Sequence, residues 1–334
     1  MLRNLIKSIY FNLPYFVREN SYVEAIKILF KKSLKKRIKK KHNQIFIDVK
    51  NITLNDAALD NFVGYALNNI GENSGSFLDY ITSVKCSFNY LDHPTDPNSV
   101  EYYNFQKKMY RKISGKDYQI KFESSDIMVS EVIREPYKYL EFNQKRVSQE
   151  LEAISLLIGE LNLNYGDKFL ECGGGRGHIT EQLCLLGLDV TAIEIDKNFC
   201  KVVNSRLTPY KKKFKMLNTD FKSGVNSIKD NSLKGVLFHN CFHHSYDHRE
   251  LLTDIFKKLT RDGVIFFLNE PISNTYKLPW GLRLDGESLF QIRRYGWYEL
   301  GFREDYFNDM LDDLGFDTFK ILKGESVMIK AVKR

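Results

Sequence analysis

Short apolar runs alternate with segments of helical periodicity throughout the second half of the chain. Apolar runs lead into Glu171, end at Glu194, and recur near 213–217, 235–240 and 264–269; their continuity is typical of buried parallel strands. The segments between them have helical length, such as 251–259 with its stop signal at Gly263. A helix near 307–314 and strands near 318–322 and 326–332 complete the pattern. The alternation predicts an α/β protein with a doubly wound parallel sheet.

The first turn of this pattern carries candidate chemistry. The sequence Glu171-Cys-Gly173-Gly-Gly175-Arg-Gly177 follows the first strand, and Glu194 closes the second. Glycines there let backbone N–H groups approach a ligand, and an acid closing the second strand can accept both hydroxyls of a ribose. The dinucleotide fingerprint fails because its third glycine would fall on His178, and no phosphate-binding loop is present. The turn therefore predicts a pocket for another nucleoside-bearing cofactor.

The acid-x-G-x-G-x-G spacing resembles motif I of the class I S-adenosylmethionine-dependent methyltransferases, and the similarity covers roughly residues 150–334. The resemblance implies a Rossmann-like, seven-stranded methyltransferase sheet and S-adenosyl-L-methionine as the cofactor. It also implies that Glu194 holds the ribose, that Asp220 takes the adenine amino group and that an apolar neighbour packs on the ring. The implied cofactor-binding residues are Glu171, Gly173, Gly175, Gly177, Glu194, Asp220, Phe221 and Asn240.

Histidines cluster after the fourth predicted strand, at positions 239, 243, 244 and 248. The stretch Asn240-Cys-Phe-His243-His244 is similar to the N-x-x-H-H segment of many small-molecule methyltransferases, where the acceptor meets the methyl group. O-methylation needs a base for the hydroxyl proton, and histidine suits that task near neutral pH. We therefore predict His243 or His244 as the general base, with Glu270 orienting a histidine or a substrate hydroxyl. The alternative is that one imidazole only hydrogen-bonds the loop backbone.

A metal centre is not predicted. Its ligands would be His243, His244 and His248 joined by Glu270, and that spacing matches no standard zinc pattern. His239 lies inside the predicted strand and is expected to be buried packing.

The segment 271–306 is a long insertion between the fifth strand and the next helix. It mixes arginines with aromatic residues, and long insertions at this edge of a parallel sheet tend to cover the site. Aromatic faces suit sugar or base stacking, and arginine forks suit phosphates or carboxylates. The alternative is a solvated helical hairpin with ordinary ion pairs. The candidate substrate-binding residues are Tyr276, Trp280, Arg283, Arg293 and Arg294.

Charge divides the chain. Residues 1–50 hold 13 Lys/Arg and 3 Asp/Glu, whereas the remaining 284 residues hold 37 and 39. The predicted domains are a basic amphipathic segment (1–50), a mainly helical accessory or acceptor-recognition region (51–150) and a methyltransferase domain (151–334) with the insertion 271–306. The basic segment is either simply solvated or, over residues 1–41, a peripheral contact with anionic membranes or polymers.

The predicted cellular location depends on features that the sequence lacks. No apolar stretch has the length of a membrane span, no secretory signal is recognisable, and the five cysteines lack C-x-x-C spacing. These features favour free thiols and a cytoplasmic protein, with a peripheral location at the inner membrane surface as an option.

Three functions remain open. The first is O-methylation of a saccharide or other small acceptor, phosphorylated or not; the others are RNA methylation and a non-catalytic S-adenosylmethionine-binding scaffold. Residues 175–180 and 191–196 look like the rRNA adenine dimethylases, but that family carries N-[LI]-P-[YF] after strand 4. Here the proline is missing and His243 replaces the aromatic residue. Outside residues 1–50 the charge balance also offers no broad surface for neutralising phosphates, so RNA ranks second.

Overall fold

The computed structural model of the chain describes residues 51–71, 76–87, 93–124, 128–130, 144–210 and 213–334. The predicted basic segment and its membrane contact lie outside the described residues. In the part of the chain that is described, none of the helices combines the length and apolar character needed to cross a bilayer.

Seven strands form the central sheet, and the apolar runs of the sequence lie in it. The strands are β3 (Lys168–Cys172), β4 (Asp189–Glu194), β5 (Phe214–Asn218), β6 (Leu233–His239), β7 (Leu259–Leu268), β10 (Phe316–Lys323) and β11 (Ser326–Lys333). Five of them are parallel neighbours in the order β7-β6-β3-β4-β5, and a terminal hairpin continues the sheet antiparallel beyond β7 as β11 and then β10. The predicted doubly wound, seven-stranded sheet is confirmed.

Both faces of the central strands β3, β4, β6 and β7 are largely buried, which explains why these strands are apolar at consecutive positions. On β6, Leu237 packs into one layer with Phe266 and Leu157, while Phe238 points into the other and stacks on Phe267 with ring centroids 5.7 Å apart. The helices around the sheet are α4 (Gln144–Glu160), α5 (His178–Leu185), α6 (Lys197–Arg206), α7 (Phe221–Asn226), α8 (His248–Lys258) and α10 (Glu304–Asp313).

Strand register brings the carboxyl ends together at one edge. Cys172 pairs with both Ile193 and Phe238, and His239 pairs with Leu268. The turns that follow β3, β4, β6 and β7 therefore share this edge, where ligands bind in open parallel sheets.

The region before α4 is mainly helical where it is described. It contains a short parallel pair, β1 (Asn51–Thr53) with β2 (Lys85–Ser87), and the helices α1 (Asp56–Tyr65), α2 (Phe77–Thr82) and α3 (Val100–Ser114). Ser99 Oγ caps α3 by accepting the N–H of Tyr102, and Gly115 ends it with φ +74°. Residues 50–334 form one compact unit, so the predicted boundary near residue 150 stays a prediction.

The insertion folds as an antiparallel pair around a helix. Its elements are β8 (Trp280–Leu282), α9 (Gly286–Arg294) and β9 (Leu300–Phe302). Two buried tyrosines of α3 form hydrogen bonds with the insertion. The hydroxyl of Tyr102 donates to the carbonyl of Trp280, and that of Tyr110 donates to the carbonyl of Gly296 at 2.6 Å. The insertion therefore packs against α3 instead of standing in solvent as a separate hairpin.

Candidate active site

A cavity of about 660 Å³ opens at the carboxyl edge of the sheet. The turn after β3, the ends of β4, β6 and β7, the insertion and residues 120 and 123 of the accessory region all line it. Its volume falls within the usual range for small-molecule and cofactor sites. We call it the main cavity.

The glycine turn forms one wall of the main cavity, and its conformation depends on glycine. Gly173 and Gly177 each have φ +73°, and Gly175 has φ +48°. A Cβ at Gly173 would lie 2.9 Å from Cys241 Sγ, and one at Gly177 would lie 2.7 Å from Val203 Cγ1. Glycine therefore lets the turn pack closely on Cys241 and Val203 while its backbone lines the main cavity at the N-terminus of α5.

Glu194 connects the turn to the second strand. Its carboxylate accepts the N–H of Gly175 at 2.7 Å and the N–H of Asp196 at 2.8 Å. Burial raises its pKa, although those N–H groups oppose the shift. Each oxygen retains a second lone pair, so the residue can still receive a ribose hydroxyl from the main cavity.

Glu171 lies deeper than predicted for a ligand contact. Its side chain is buried, and it accepts the hydroxyl of Thr180 at 2.5 Å. Burial raises the pKa of Glu171 to about 8. The nearby charge of Glu194 adds to this shift, and the hydrogen bond from Thr180 opposes it. It lines the main cavity, but its hydrogen bond with Thr180 joins β3 to α5.

The remaining predicted cofactor residues also line the main cavity. Asp220 caps α7, with Oδ1 accepting the Ser223 N–H at 2.9 Å and Oδ2 its hydroxyl at 2.7 Å. Phe221 has its ring edge-on to Phe238, and its Cζ would be 3.7 Å from a Cβ on Gly173. Asn240 directly follows β6, has φ +51° and is exposed. An adenine platform between β5 and α7 is consistent with these positions.

His243 and Glu270 form a buried pair. His243 Nδ1 lies 2.8 Å from Glu270 Oε2, and Glu270 Oε1 accepts the N–H groups of Cys241 at 2.7 Å and Phe242 at 2.9 Å. Burial alone would raise the pKa of Glu270, but His243 and these N–H groups lower it below its usual value. An ionised Glu270 accepts a hydrogen bond from the Nδ1–H group of His243. A neutral His243 then carries its free lone pair on Nε2.

His244 has a different environment. Its Nδ1 lies 2.8 Å from the carbonyl of Tyr298 and 3.2 Å from a carboxylate oxygen of Glu123. Burial lowers its pKa, but the carboxylates of Glu123, Glu299 and Glu270 outweigh burial and raise the pKa to about 9. His244 is thus cationic near neutral pH in the ligand-free protein, which makes His243 the better base candidate of the two predicted.

The other two clustered histidines have separate surroundings. His239 lines the main cavity with its Nε2 3.9 Å from Glu150, so the prediction that it is buried packing is wrong. His248 is fully buried among Trp280 and Phe302, and burial lowers its pKa to about 3.

The predicted substrate residues divide into two groups. Tyr276 and Arg283 line the main cavity, whereas Trp280, Arg293 and Arg294 do not. Trp280 is fully buried, and its Nε1 donates to the carbonyl of Pro97 at 2.8 Å. Arg293 binds Asp60 of α1 at 2.7 Å, and Arg294 lies near the ring of Tyr295. The predicted substrate-binding role of these three residues is therefore corrected, because packing on the accessory helices, or a surface position, keeps their side chains away from the main cavity.

The lining of the main cavity also includes Glu123, Gln291, Trp297 and Glu299, none of which was among the candidate substrate-binding residues. Gln291 Oε1 and Trp297 Nε1 are buried without a hydrogen-bond partner. Buried polar atoms are normally paired, so these two have capacity for a ligand. The sequence marked Trp297 only as one aromatic residue of the insertion, and it gave no signal for the other three, because their positions depend on how distant segments pack together.

Carboxylates outnumber arginines in the lining of the main cavity, which disfavours an anionic acceptor. Arg283 is its only arginine from the insertion, and it is already 2.9 Å from Asp285 and 3.6 Å from Glu299. The argument for a phosphorylated acceptor, which depended on several arginine forks, loses its support.

Comparison with known proteins gives one family match. Residues 170–267 match the family described as "Methyltransferase domain". An rRNA adenine N-6-methyltransferase from Limosilactobacillus reuteri is 34% identical over 67 residues, which are 20% of this chain and 27% of that protein. Another from Clostridium perfringens is 25% identical over 164 residues, covering 42% of this chain and 64% of that protein. The chain thus spans less than two thirds of the length of these curated relatives.

Among solved structures, phosphoethanolamine N-methyltransferase 2 from Haemonchus contortus, in complex with S-adenosyl-L-methionine, is similar with 14% identity and a TM-score of 0.42. The match covers 54% of this chain and 52% of that one. The family match confirms the resemblance to the methyltransferases, and it supports S-adenosylmethionine as the cofactor.

Proposed function

We propose that this chain, an S-adenosylmethionine-dependent methyltransferase, transfers the methyl group to a hydroxyl oxygen of a small, uncharged polyhydroxylated acceptor such as a saccharide. One observation carries the proposal: the buried His243–Glu270 pair, whose Nδ1–Oε2 distance is 2.8 Å and whose histidine lines the main cavity. A hydroxyl is a poor nucleophile until it loses its proton, and this pair is built to accept one.

The residues of the chain divide the work. S-adenosylmethionine supplies a methyl group on a positively charged sulfur, which keeps the bonding electron pair when the methyl group leaves. Glu194 and the glycine turn bind and orient it, and His243 Nε2 accepts the proton of the acceptor hydroxyl as the new O–C bond forms. Glu270 holds the imidazole in one tautomer and stabilises the imidazolium that results.

Unpaired polar atoms support the acceptor class. Trp297 Nε1 is a donor, Gln291 Oε1 is an acceptor, and both are buried in side chains that line the main cavity. A hydroxyl group can both donate and accept, so a polyhydroxylated molecule satisfies both atoms. Since Arg283 is already paired with carboxylates, a phosphate has less to gain.

RNA methylation is the alternative that the similarity to the rRNA adenine N-6-methyltransferases favours. Two features of the site weigh against it. His243 occupies the position of the aromatic residue that resembled enzymes use, and its ring is fixed by Glu270. Carboxylates also outnumber cationic side chains in the lining of the main cavity, which disfavours a polyanion.

A screen with radiolabelled S-adenosylmethionine tests the proposal. The purified full chain is incubated with neutral sugars, nucleotide sugars, lipids and total RNA, each as a separate acceptor. We expect label in a neutral saccharide, at an oxygen, with His243→Asn lowering kcat by about 10²–10⁴-fold and leaving donor affinity unchanged. Arg294→Ala, outside the main cavity, is the control and should retain full rate. Label in RNA alone would favour the alternative, and donor binding without any turnover would favour a scaffold.

A further inference from the structure

Three side chains converge in the main cavity with the chemistry of a metal site. One ring nitrogen from His243, one from His244 and a carboxylate oxygen from Glu299 all lie within 4.8 Å of one another. All three side chains are mostly shielded from solvent, with exposed fractions of 9%, 19% and 7%. We propose that these residues bind a divalent transition-metal ion of the Zn²⁺ type.

The hydrogen bonds of the two imidazoles also favour a metal site. His243 Nδ1 is bonded to Glu270, and His244 Nδ1 to the carbonyl of Tyr298 with Glu123 close by. Both Nδ1 atoms are therefore occupied, and the free coordinating atom of each ring is Nε2. Histidines that bind metals typically donate their other N–H to a carboxylate or carbonyl in this way, which fixes the ring and raises its basicity.

Charge gives an independent reason. Glu123, Glu270 and Glu299 have side chains at most 9% exposed, and among the ion pairs that they form with described residues Arg283 supplies the single permanent cation. Buried carboxylates are costly unless they are paired. One divalent ion bound by His243, His244 and Glu299 would compensate the excess of about two negative charges.

The ligand set differs from the one weighed from sequence. His248 is excluded because its ring packs between Trp280 and Phe302, and Glu270 already accepts two backbone N–H groups through Oε1. Two imidazoles and one carboxylate are a common ligand set for zinc, and three protein ligands leave a position open for water or another ligand.

Metal binding has a consequence for the reaction, which rests on the proposed function. His243 Nε2 cannot hold a metal ion and accept a hydroxyl proton at the same time. The metal-bound form is therefore inhibited in methyl transfer, and activity belongs to the metal-free form.

The binding test does not depend on activity. The full chain is treated with chelator, dialysed, supplied with S-adenosylhomocysteine and titrated with Co²⁺, whose visible absorption reports coordination by nitrogen and oxygen, and with Zn²⁺ by calorimetry. We expect one ion per chain, at least tenfold weaker binding in His244→Asn and Glu299→Gln, and about 10–100-fold weaker binding in Glu270→Gln. His239→Asn, another imidazole of the main cavity, is the matched control and should bind like the parent. Absence of saturable binding, or equal affinity in all variants, would overturn the site.

The activity test separates the two proposals. With the acceptor found by the screen, chelator-treated protein should be active, and Zn²⁺ should inhibit it at the concentration that fills the site. Inactive metal-free protein that Zn²⁺ restores would refute the role of His243 as base while leaving the metal site intact. Full activity of the Zn²⁺-loaded protein would refute the inhibition.

Discussion

His243 Nδ1 and Glu270 Oε2 are 2.8 Å apart although 27 residues separate them in the chain. The contact exists because β6 and β7 are parallel neighbours whose last residues, His239 and Leu268, are in register. The loops that leave the two strands then meet at the same edge. Because Glu270 also accepts the N–H groups of Cys241 and Phe242, one carboxylate fixes both the loop and the ring.

Glu270→Gln should lower kcat by about 10²-fold or more, because the amide no longer stabilises an imidazolium on His243. Donor affinity should change little, since Glu194 and the glycine turn are untouched. Steady-state kinetics combined with donor titration separate the two quantities.

The double variant His243→Asn/Glu270→Gln supplies the control. If the two residues act as a unit, the double variant is no slower than the slower single variant. Additive losses in log kcat would show that Glu270 acts independently of the imidazole.

Glu194→Gln should weaken S-adenosylhomocysteine binding by about ten- to a hundredfold, in line with the 1.5–3 kcal/mol of a hydrogen bond to a charged group. The amide cannot accept both the Gly175 and Asp196 N–H groups, so the turn also loses its anchor. Calorimetry measures the affinity. Glu250→Gln, a surface carboxylate paired with Lys222, should bind like the parent, and unchanged affinity in Glu194→Gln would refute the cofactor role.

The donor half of the site was predictable from the sequence because its residues lie within one βαβ unit. The glycines at 173–177 and the acid at 194 occupy successive ends of β3 and β4, and local chain direction alone brings them together. The apolar runs predicted that the strands exist, but the bounds of one strand differ from the prediction. The strand β7 begins at Leu259, five residues before the apolar run that starts at Val264. Its first residues pair only at Leu233, and Asp262 has φ +59°, so apolar periodicity does not mark them.

The acceptor half was less predictable because it is assembled from distant segments. Glu123 meets His244 across 121 residues, and Glu299 meets His243 across 56. Composition also misled, since an aromatic such as Trp280 serves packing as well as stacking. Its ring packs against Tyr102 and Tyr103 with centroids 5.0 and 4.7 Å away, and that contact requires knowledge of where α3 lies.

Gly177→Ala should destabilise the fold by about 1–3 kcal/mol, because the new Cβ would lie 2.7 Å from Val203 Cγ1 at φ +73°. Chemical denaturation gives the free energy of unfolding. Gly159→Ala in α4 is the matched control: nothing lies within 4 Å of its Cβ position, so helix propensity should stabilise the protein by up to about 1 kcal/mol. Equal effects of the two substitutions would contradict the turn geometry.

Gln291→Leu should raise the acceptor KM while leaving the free energy of unfolding unchanged or slightly increased. Its Oε1 is buried without a partner, so removing it costs the ligand-free protein no hydrogen bond but deprives an acceptor hydroxyl of one. Arg294→Ala is the control because Arg294 lies outside the main cavity. An unchanged KM in Gln291→Leu would place the acceptor elsewhere.

Glu171 should make the ligand-free protein less stable as pH rises. Its folded pKa is about 8 against an ordinary 4.5, raised chiefly by burial, so between those values the folded state binds the proton that the unfolded state has released. The contribution of Glu171 to the free energy of unfolding therefore falls from about pH 4.5 to about pH 8, with a slope of at most about 1.4 kcal/mol per pH unit. Glu171→Gln keeps the Thr180 contact without the titration, so the difference between parent and variant isolates this group. We expect the variant to gain stability over the parent as pH rises from 5 to 8; a pH-independent difference would show that Glu171 ionises in the folded protein at its ordinary pKa.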